Sequence, residues 1–102
     1  MTAPALPSPT EKQFMAQVLK LAGLYRWKCY HTFDSRHSAN GFPDLVLVRD
    51  RVIFAELKTA AGRVTPAQQY WIQAIREAGC DCYIWRPENW PDIEHELKPR
   101  GA

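Results

Sequence analysis

The chain holds 102 residues, of which 46% are hydrophobic, 24% charged and 12% aromatic, with a net charge of +2. That length supplies one modest core, because folding at this size hides roughly two thirds of the surface of the open chain, and the composition excludes a disordered polypeptide. No apolar run approaches the roughly 20 residues that span a bilayer, the first residues lack the basic and apolar regions of a secretion signal, and three cysteines (Cys29, Cys80 and Cys82) make no disulfide framework, so a reducing cytoplasm and no membrane contact are expected.

Charge is unevenly spread. Residues 1–76 carry ten basic and five acidic side chains, whereas residues 77–96 set Arg86 against six acids. A basic body with an acidic flank suits a polyanionic ligand, although ordinary surface charge explains the same pattern.

Residues 1–7, with Pro4 and Pro7 among small neighbours, read as a disordered leader to a domain over 8–97, followed by a tail over 98–102. Ser8-Pro9-Thr10-Glu11 has the form of a capping box, which predicts a helix running to about Ala22 and stopping at Gly23. On that helix Phe14, Met15, Val18, Leu21 and Ala22 share a face, and Glu11 opens it. Trp27 to Thr32 reads as a strand and Asp34 to Asn40 as a polar loop. The apolar runs Leu45 to Val48 and Val52 to Leu57, joined by Arg49-Asp50-Arg51, form a β-hairpin. After a loop over Thr59 to Val64, Thr65-Pro66-Ala67-Gln68 opens a second helix that carries Trp71, Ile72, Ile75 and Ala78 inward and ends at Gly79. Cys80 to Arg86 is a fourth strand, and Pro91 to Leu97 a short acidic helix with a solvated face. The order of elements predicts an antiparallel meander of three strands, then a parallel crossover through the second helix to the fourth. The fold class is α/β, a small mixed sheet flanked by helices.

Three charged residues stand where burial is expected. Asp44 follows Pro43 at the start of a strand, and Glu56 and Lys58 lie two apart at the end of its partner, hence on one face. Hairpin register decides whether they meet. A three-residue loop pairs Val48 with Val52 and brings Asp44 opposite Glu56, whereas a two-residue loop at Asp50-Arg51 turns them to opposite faces. Once paired, the carboxylates repel by roughly 4 kcal/mol at 4 Å in an effective dielectric near 20. A divalent cation relieves this, and two hard carboxylates completed by water suit Mg²⁺ or Mn²⁺. Such an ion polarises a phosphodiester and acidifies bound water, while Lys58 beside that water orients it or stabilises developing charge. The set Cys29, His31, His37, Cys80 and Cys82 matches no zinc spacing.

The string Pro43-Asp44 followed by Glu56-Leu57-Lys58 resembles the PD-(D/E)xK nuclease signature. With His31-Thr32, Asp34-Ser35-Arg36, Gly41-Phe42-Pro43-Asp44-Leu45, Gln68 and Trp85-Arg86-Pro87, the chain is more specifically similar to the virus-type replication-repair nuclease (VRR-NUC) family over about residues 8–97. The resemblance implies an α-β-β-β-α-β nuclease core. It also implies a site in which Asp44, Glu56 and the backbone carbonyl of Leu57 hold Mg²⁺ or Mn²⁺, and Lys58 is the catalytic lysine. Glu11 matches the family's first-helix acid, reaching the metal through water, and Gln68 its helix-opening glutamine. Glu11 and Gln68 also have structural readings as capping-box partners.

Arg36 and Arg63, on loops flanking this site, suit phosphate contact, as does Ser35. The implied activity is metal-dependent DNA endonuclease cleavage of branched DNA, such as four-way (Holliday) junctions, by a homodimer in a bacterial or phage-infected cell. Trp27, Tyr70, Tyr83 and Trp90 are too many aromatics for one small core, so a second copy is expected to cover some of them. The alternatives are a sequence-specific restriction-type nuclease and a module that binds DNA junctions or ends without cutting.

Overall fold

In the computed structural model, which describes residues 8–32 and 39–100, Thr10 rather than Ser8 opens the first helix, α1 (Glu11–Leu24). Thr10 Oγ1 accepts from the Gln13 amide at 3.1 Å, and Gln13 Oε1 accepts from the Thr10 amide at 2.9 Å. The box is therefore displaced by two residues from its expected place. A β-branched threonine loses rotamer freedom inside a first turn but satisfies a free amide at its cap, so Thr10 takes the cap and Glu11 becomes the first helical residue.

The helix also outruns Gly23. Arg26, with φ of 68°, takes the left-handed position after the end. The Trp27 amide donates to Ala22 O at 2.9 Å and the Arg26 amide to Gly23 O at 3.0 Å, which makes a Schellman closure with arginine where glycine is usual.

Three further elements form the meander. Strand β1 (Lys28–His31) is shorter than expected, while β2 (Leu45–Val48) and β3 (Val52–Leu57) occupy the expected residues. Helix α2 (Pro66–Glu77) starts from the Thr65 cap with Pro66 in its first turn and ends into Gly79, whose φ is +87°. It leads to β4 (Asp81–Trp85), one residue shorter at each end than expected. A single 3₁₀ turn (Pro87–Asn89) precedes α3 (Trp90–Leu97).

The sheet order is β1-β2-β3-β4, antiparallel across the first two pairs and parallel between β3 and β4. The fold is the expected mixed α/β arrangement. Side-chain alternation divides the sheet into two faces. Leu45, Leu47, Ile53, Ala55 and Leu57 are fully buried on one face, packed with Phe14, Val18 and Ala22 of α1 and Ile93 and Leu97 of α3. Helix α2 covers part of the other, where Phe42 meets Phe54 and Trp71 edge to face.

Two expectations about the C-terminal segment and the aromatics are corrected here. The segment is not merely a solvated face, since Ile93 and Leu97 are core and Arg51 binds both Asp81 and Glu96. Trp27 needs no second copy, being 5% exposed, with its indole N–H donating to Leu97 O at 2.8 Å and the Arg49 guanidinium 4.4 Å above its ring. Tyr83 and Trp90 pack at the edge of the same core, whereas Tyr70 is 72% exposed. Among the described residues no helix is long and apolar enough to cross a membrane.

Candidate active site

Val48 pairs with Val52, and Arg49, Asp50 and Arg51 make the turn. This odd loop sets Asp44 opposite Glu56 on the face shared with α2. Burial then separates the two carboxylates. Asp44, at the mouth of the strand pair, is half-exposed, and its Oδ2 accepts the Leu57 amide at 2.9 Å. Glu56 is 2% exposed, flanked by Ala55 and Leu57, both fully buried. Its Oε1 accepts a long hydrogen bond from Gln68 Nε2 at 3.4 Å, and its Oε2 is buried with no hydrogen-bond partner.

Desolvation first, and then the adjacent Asp44 carboxyl, push the Glu56 carboxyl far above the ordinary carboxylate range; Lys58 opposes the shift and Glu11 adds to it. A buried acceptor left unpaired costs about 1–3 kcal/mol, so the fold maintains a group that a core leucine could replace more cheaply.

Secondary structure explains how the other residues arrive. Strand β3 runs from the hairpin turn toward Glu56, and parallel β4 ends beside it at Trp85. The Lys58 amide donates to Trp85 O at 2.9 Å, so Lys58 stands just beyond the last bridge of the sheet. Gln68 serves as the third residue of α2, with Oε1 accepting the Thr65 amide at 2.9 Å, which turns its Nε2 toward Glu56. Glu11 occupies the exposed first position of α1 and influences Glu56 by charge alone.

Asp44, Glu56, Lys58 and Gln68 thus gather at one end of the sheet, with Glu11 at the periphery. Among the described residues no three His, Cys, Asp or Glu side chains are grouped closely enough to hold a metal. The hard donors that meet here are the Asp44 and Glu56 carboxylates. Adjacent hard oxygens, one of them buried and unpaired, fit a divalent cation. Arg63 is exposed on the loop between β3 and α2, and Ser35 and Arg36 lie outside the described residues.

Two positions with no assigned role in the sequence shape this end of the molecule. Gly41, with φ of +86°, lies so close to α2 that an added Cβ would stand 2.4 Å from Ala67 C and 2.7 Å from Gln68 N. Only glycine lets the segment leading to Asp44 press on the turn that carries Gln68. Arg86 donates from Nη1 to Thr59 O at 2.8 Å and to Gly62 O at 2.7 Å, closing the loop after Lys58. The signal for Arg86 was its isolation, one base in an acidic segment; Gly41 stands directly before Phe42-Pro43-Asp44.

The opposite end of the sheet is structural. There Arg51 ties the hairpin turn to Asp81 and Glu96, and Arg49 donates to Tyr25 O at 3.0 Å and Leu97 O at 3.1 Å. Arg76 is likewise occupied, on Cys82 O at 2.8 Å.

Comparison with known proteins agrees with this architecture. A solved structure described as a VRR_NUC domain protein is similar with a TM-score of 0.71 and 18% identity, covering 89% of each chain. No curated protein matches the chain. The family model of the VRR-NUC domain matches residues 5–88, a span that includes Glu11, Asp44, Glu56, Lys58 and Gln68, and the chain belongs to the VRR-NUC domain family.

Proposed function

We propose that the protein is a metal-dependent DNA endonuclease that hydrolyses phosphodiester bonds at Asp44, Glu56, Lys58 and Gln68. The VRR-NUC family implies a nuclease-type fold. The observation that carries the reading to this site is the buried, unpartnered Oε2 of Glu56 opposite Asp44. A divalent cation of the Mg²⁺ or Mn²⁺ class, held by the two carboxylates and the Leu57 carbonyl, supplies Lewis-acid polarisation of the phosphate and an acidified water when bound.

The chain's own groups do the rest. The Leu57 amide holds one Asp44 oxygen and Gln68 one Glu56 oxygen, which limits how far the two carboxylates can turn during reaction. Lys58 contributes a positive charge at the same face, suited to orienting the attacking water or stabilising charge on the phosphate. Glu11 at the mouth suits a water-mediated contact. The first turns of α1 and α2, both near this end, add free amides and partial positive charge favourable to a phosphate.

The substrate we infer is branched DNA such as a four-way junction, cut by a homodimer. Asp81 and Glu96 are paired to Arg51 at the far end, while Lys58 and exposed Arg63 stand at the site end. Exposed Tyr30, Val48 and Val52 on one sheet face, with Tyr70 on α2, supply apolar surface for a second copy. The test is purified protein with Mg²⁺ or Mn²⁺, against EDTA, on duplex, single-stranded, flap, fork and four-way junction DNA. Metal-dependent nicks strongest on the junction support the reading in full. Metal-dependent cleavage without that preference retains the nuclease and removes the junction. Tight binding without any cleavage makes it a DNA-binding module.

A further inference from the structure

Lys58 is the point at which the chain leaves the sheet, and a lysine ammonium on four rotatable bonds is useful only if its stem is held. The stem has a support. Beyond Lys58 the chain turns through Thr59–Gly62, closed by the Gly62 amide donating to Thr59 O at 3.2 Å. A Cβ added to Gly62 would lie 3.5 Å from Lys58 Cδ and 3.2 Å from Thr59 Oγ1. The turn therefore runs beside the lysine stem, within about a methyl group of it.

One guanidinium sets the shape of that turn. Arg86 Nη1 bridges the Thr59 and Gly62 carbonyls, and Arg86 is itself anchored, its amide donating to Asn89 Oδ1 and its carbonyl accepting from the Asn89 amide, each at 2.8 Å. Trp85, the residue before it, supplies the carbonyl that receives the Lys58 amide. The end of β4 thus holds Lys58 at two points, through its backbone and through the turn beside its side chain. Charged donors hold carbonyls more firmly than neutral ones, which explains an arginine here instead of a glutamine.

We propose that Arg86 is a positioning residue for Lys58: by bridging Thr59 and Gly62 it fixes the turn that runs beside the lysine stem and so restricts where the ammonium can reach on the Glu56 face. The role rests on the nuclease reading of this site. It differs from a phosphate contact because Nη1 is turned inward onto two carbonyls in a half-buried position.

The experiment measures cleavage kinetics of Arg86→Ala, Arg86→Gln and Arg86→Lys, with amide hydrogen exchange at Gly62. A misplacement of about 1 Å can cost on the order of a hundredfold in rate, so Arg86→Ala should lower kcat by about ten- to a hundredfold, with KM for DNA and half-saturating metal changed less than about twofold. Gly62 exchange should accelerate. Arg86→Lys, with three donors on one ammonium, should recover most of the rate, and Arg86→Gln less. In a Lys58→Ala background, Arg86→Ala should cost almost nothing further, since a residue acting through another has no independent effect.

An unchanged kcat in Arg86→Ala overturns the proposal, as does an equal loss in the Lys58→Ala background. A raised KM with normal kcat overturns it in favour of direct DNA contact. Should Arg86→Ala fail to fold, equal rates in the Gln, Lys and wild-type proteins would overturn it as well. A wild-type protein that cuts no DNA overturns the nuclease reading itself, and with it any catalytic purpose for the bridge, whatever Gly62 exchange shows.

Discussion

Gln68 caps its helix with one end of its amide and holds Glu56 with the other: Oε1 accepts the Thr65 amide at 2.9 Å while Nε2 donates to Glu56 Oε1 at 3.4 Å. The two roles can be separated. Gln68→Glu keeps a competent capping box but removes the donor and sets a third acid against the pair. We expect its thermal stability below pH 5 to stay near wild type while cleavage at pH 7.5 falls at least about tenfold. A pure capping role predicts full activity in the same variant.

Glu56 should make the metal-free protein lose stability as pH rises. Its folded pKa is raised, to about 9, above the value in the unfolded chain, so the folded form keeps a proton that the unfolded form has released. This contribution is complete below the ordinary glutamate range and is lost as pH climbs through neutrality toward the folded value. Urea unfolding at pH 5, 7 and 8.5 in EDTA should show the decline in wild type, and a flatter dependence in Glu56→Gln. Parallel profiles for the two proteins would show that Glu56 is ordinary.

Metal binding should expel that proton. Ligating carboxylates must be ionised, so Mn²⁺ affinity should rise with pH and binding near pH 7 should release about one proton. Calorimetry in two buffers of different ionisation enthalpy measures the number. Asp44→Asn and Glu56→Gln should both abolish the binding signal and reduce cleavage by at least about a hundredfold, with the fold intact. Lys58→Ala should leave Mn²⁺ binding in place while slowing cleavage by about a hundredfold.

Gly41→Ala should damage both stability and the site. The new Cβ would sit 2.4 Å from the Ala67 backbone at a φ of +86°, and neither can yield without moving α2. A cost of about 1–3 kcal/mol follows, with reduced activity in the folded fraction because Gln68 begins the displaced turn. A variant with wild-type melting temperature and rate would show that the contact is dispensable.

Two surface changes should stabilise the protein without touching the site. Gly23 lies inside α1 with open space around it, so Gly23→Ala should add up to about 1 kcal/mol of helix propensity. Arg26 has φ of 68°, and Arg26→Gly relieves a left-handed arginine by up to about 1 kcal/mol. Each should raise the melting temperature by about 4–8 °C per kcal/mol, with cleavage unchanged.

The features legible in the residues alone are local or periodic. Strands β2 and β3 are readable to the residue because two near-continuous apolar runs are bounded by Pro43-Asp44 and by Arg49-Asp50-Arg51. Helix α2 is readable because Thr65, Pro66 and Gln68 each have one favourable place at a helix start. The resemblance in Pro43-Asp44 and Glu56-Leu57-Lys58 carried the family, which the VRR-NUC domain model matches over residues 5–88. At α1 the same local rules offered two frames, Ser8 and Thr10, and did not choose between them.

Whatever depends on groups distant in sequence emerges only in the folded chain. The hairpin register follows from burying Leu45, Leu47, Ile53 and Ala55 together, because a one-residue slip would turn that face outward and carry Asp44 away from Glu56. The partners of the arginines were equally hidden, since nothing near them in sequence says that Arg49, Arg51, Arg76 and Arg86 are taken up by Trp27, by Asp81 and Glu96, by Cys82, and by Thr59 and Gly62. Burial was hidden for the same reason. Trp27 is enclosed by a helix end 70 residues away, and Glu56 is desolvated by packing that its neighbours in sequence do not specify. Desolvation depends on which surfaces meet, and that is set only when the whole chain closes on its core.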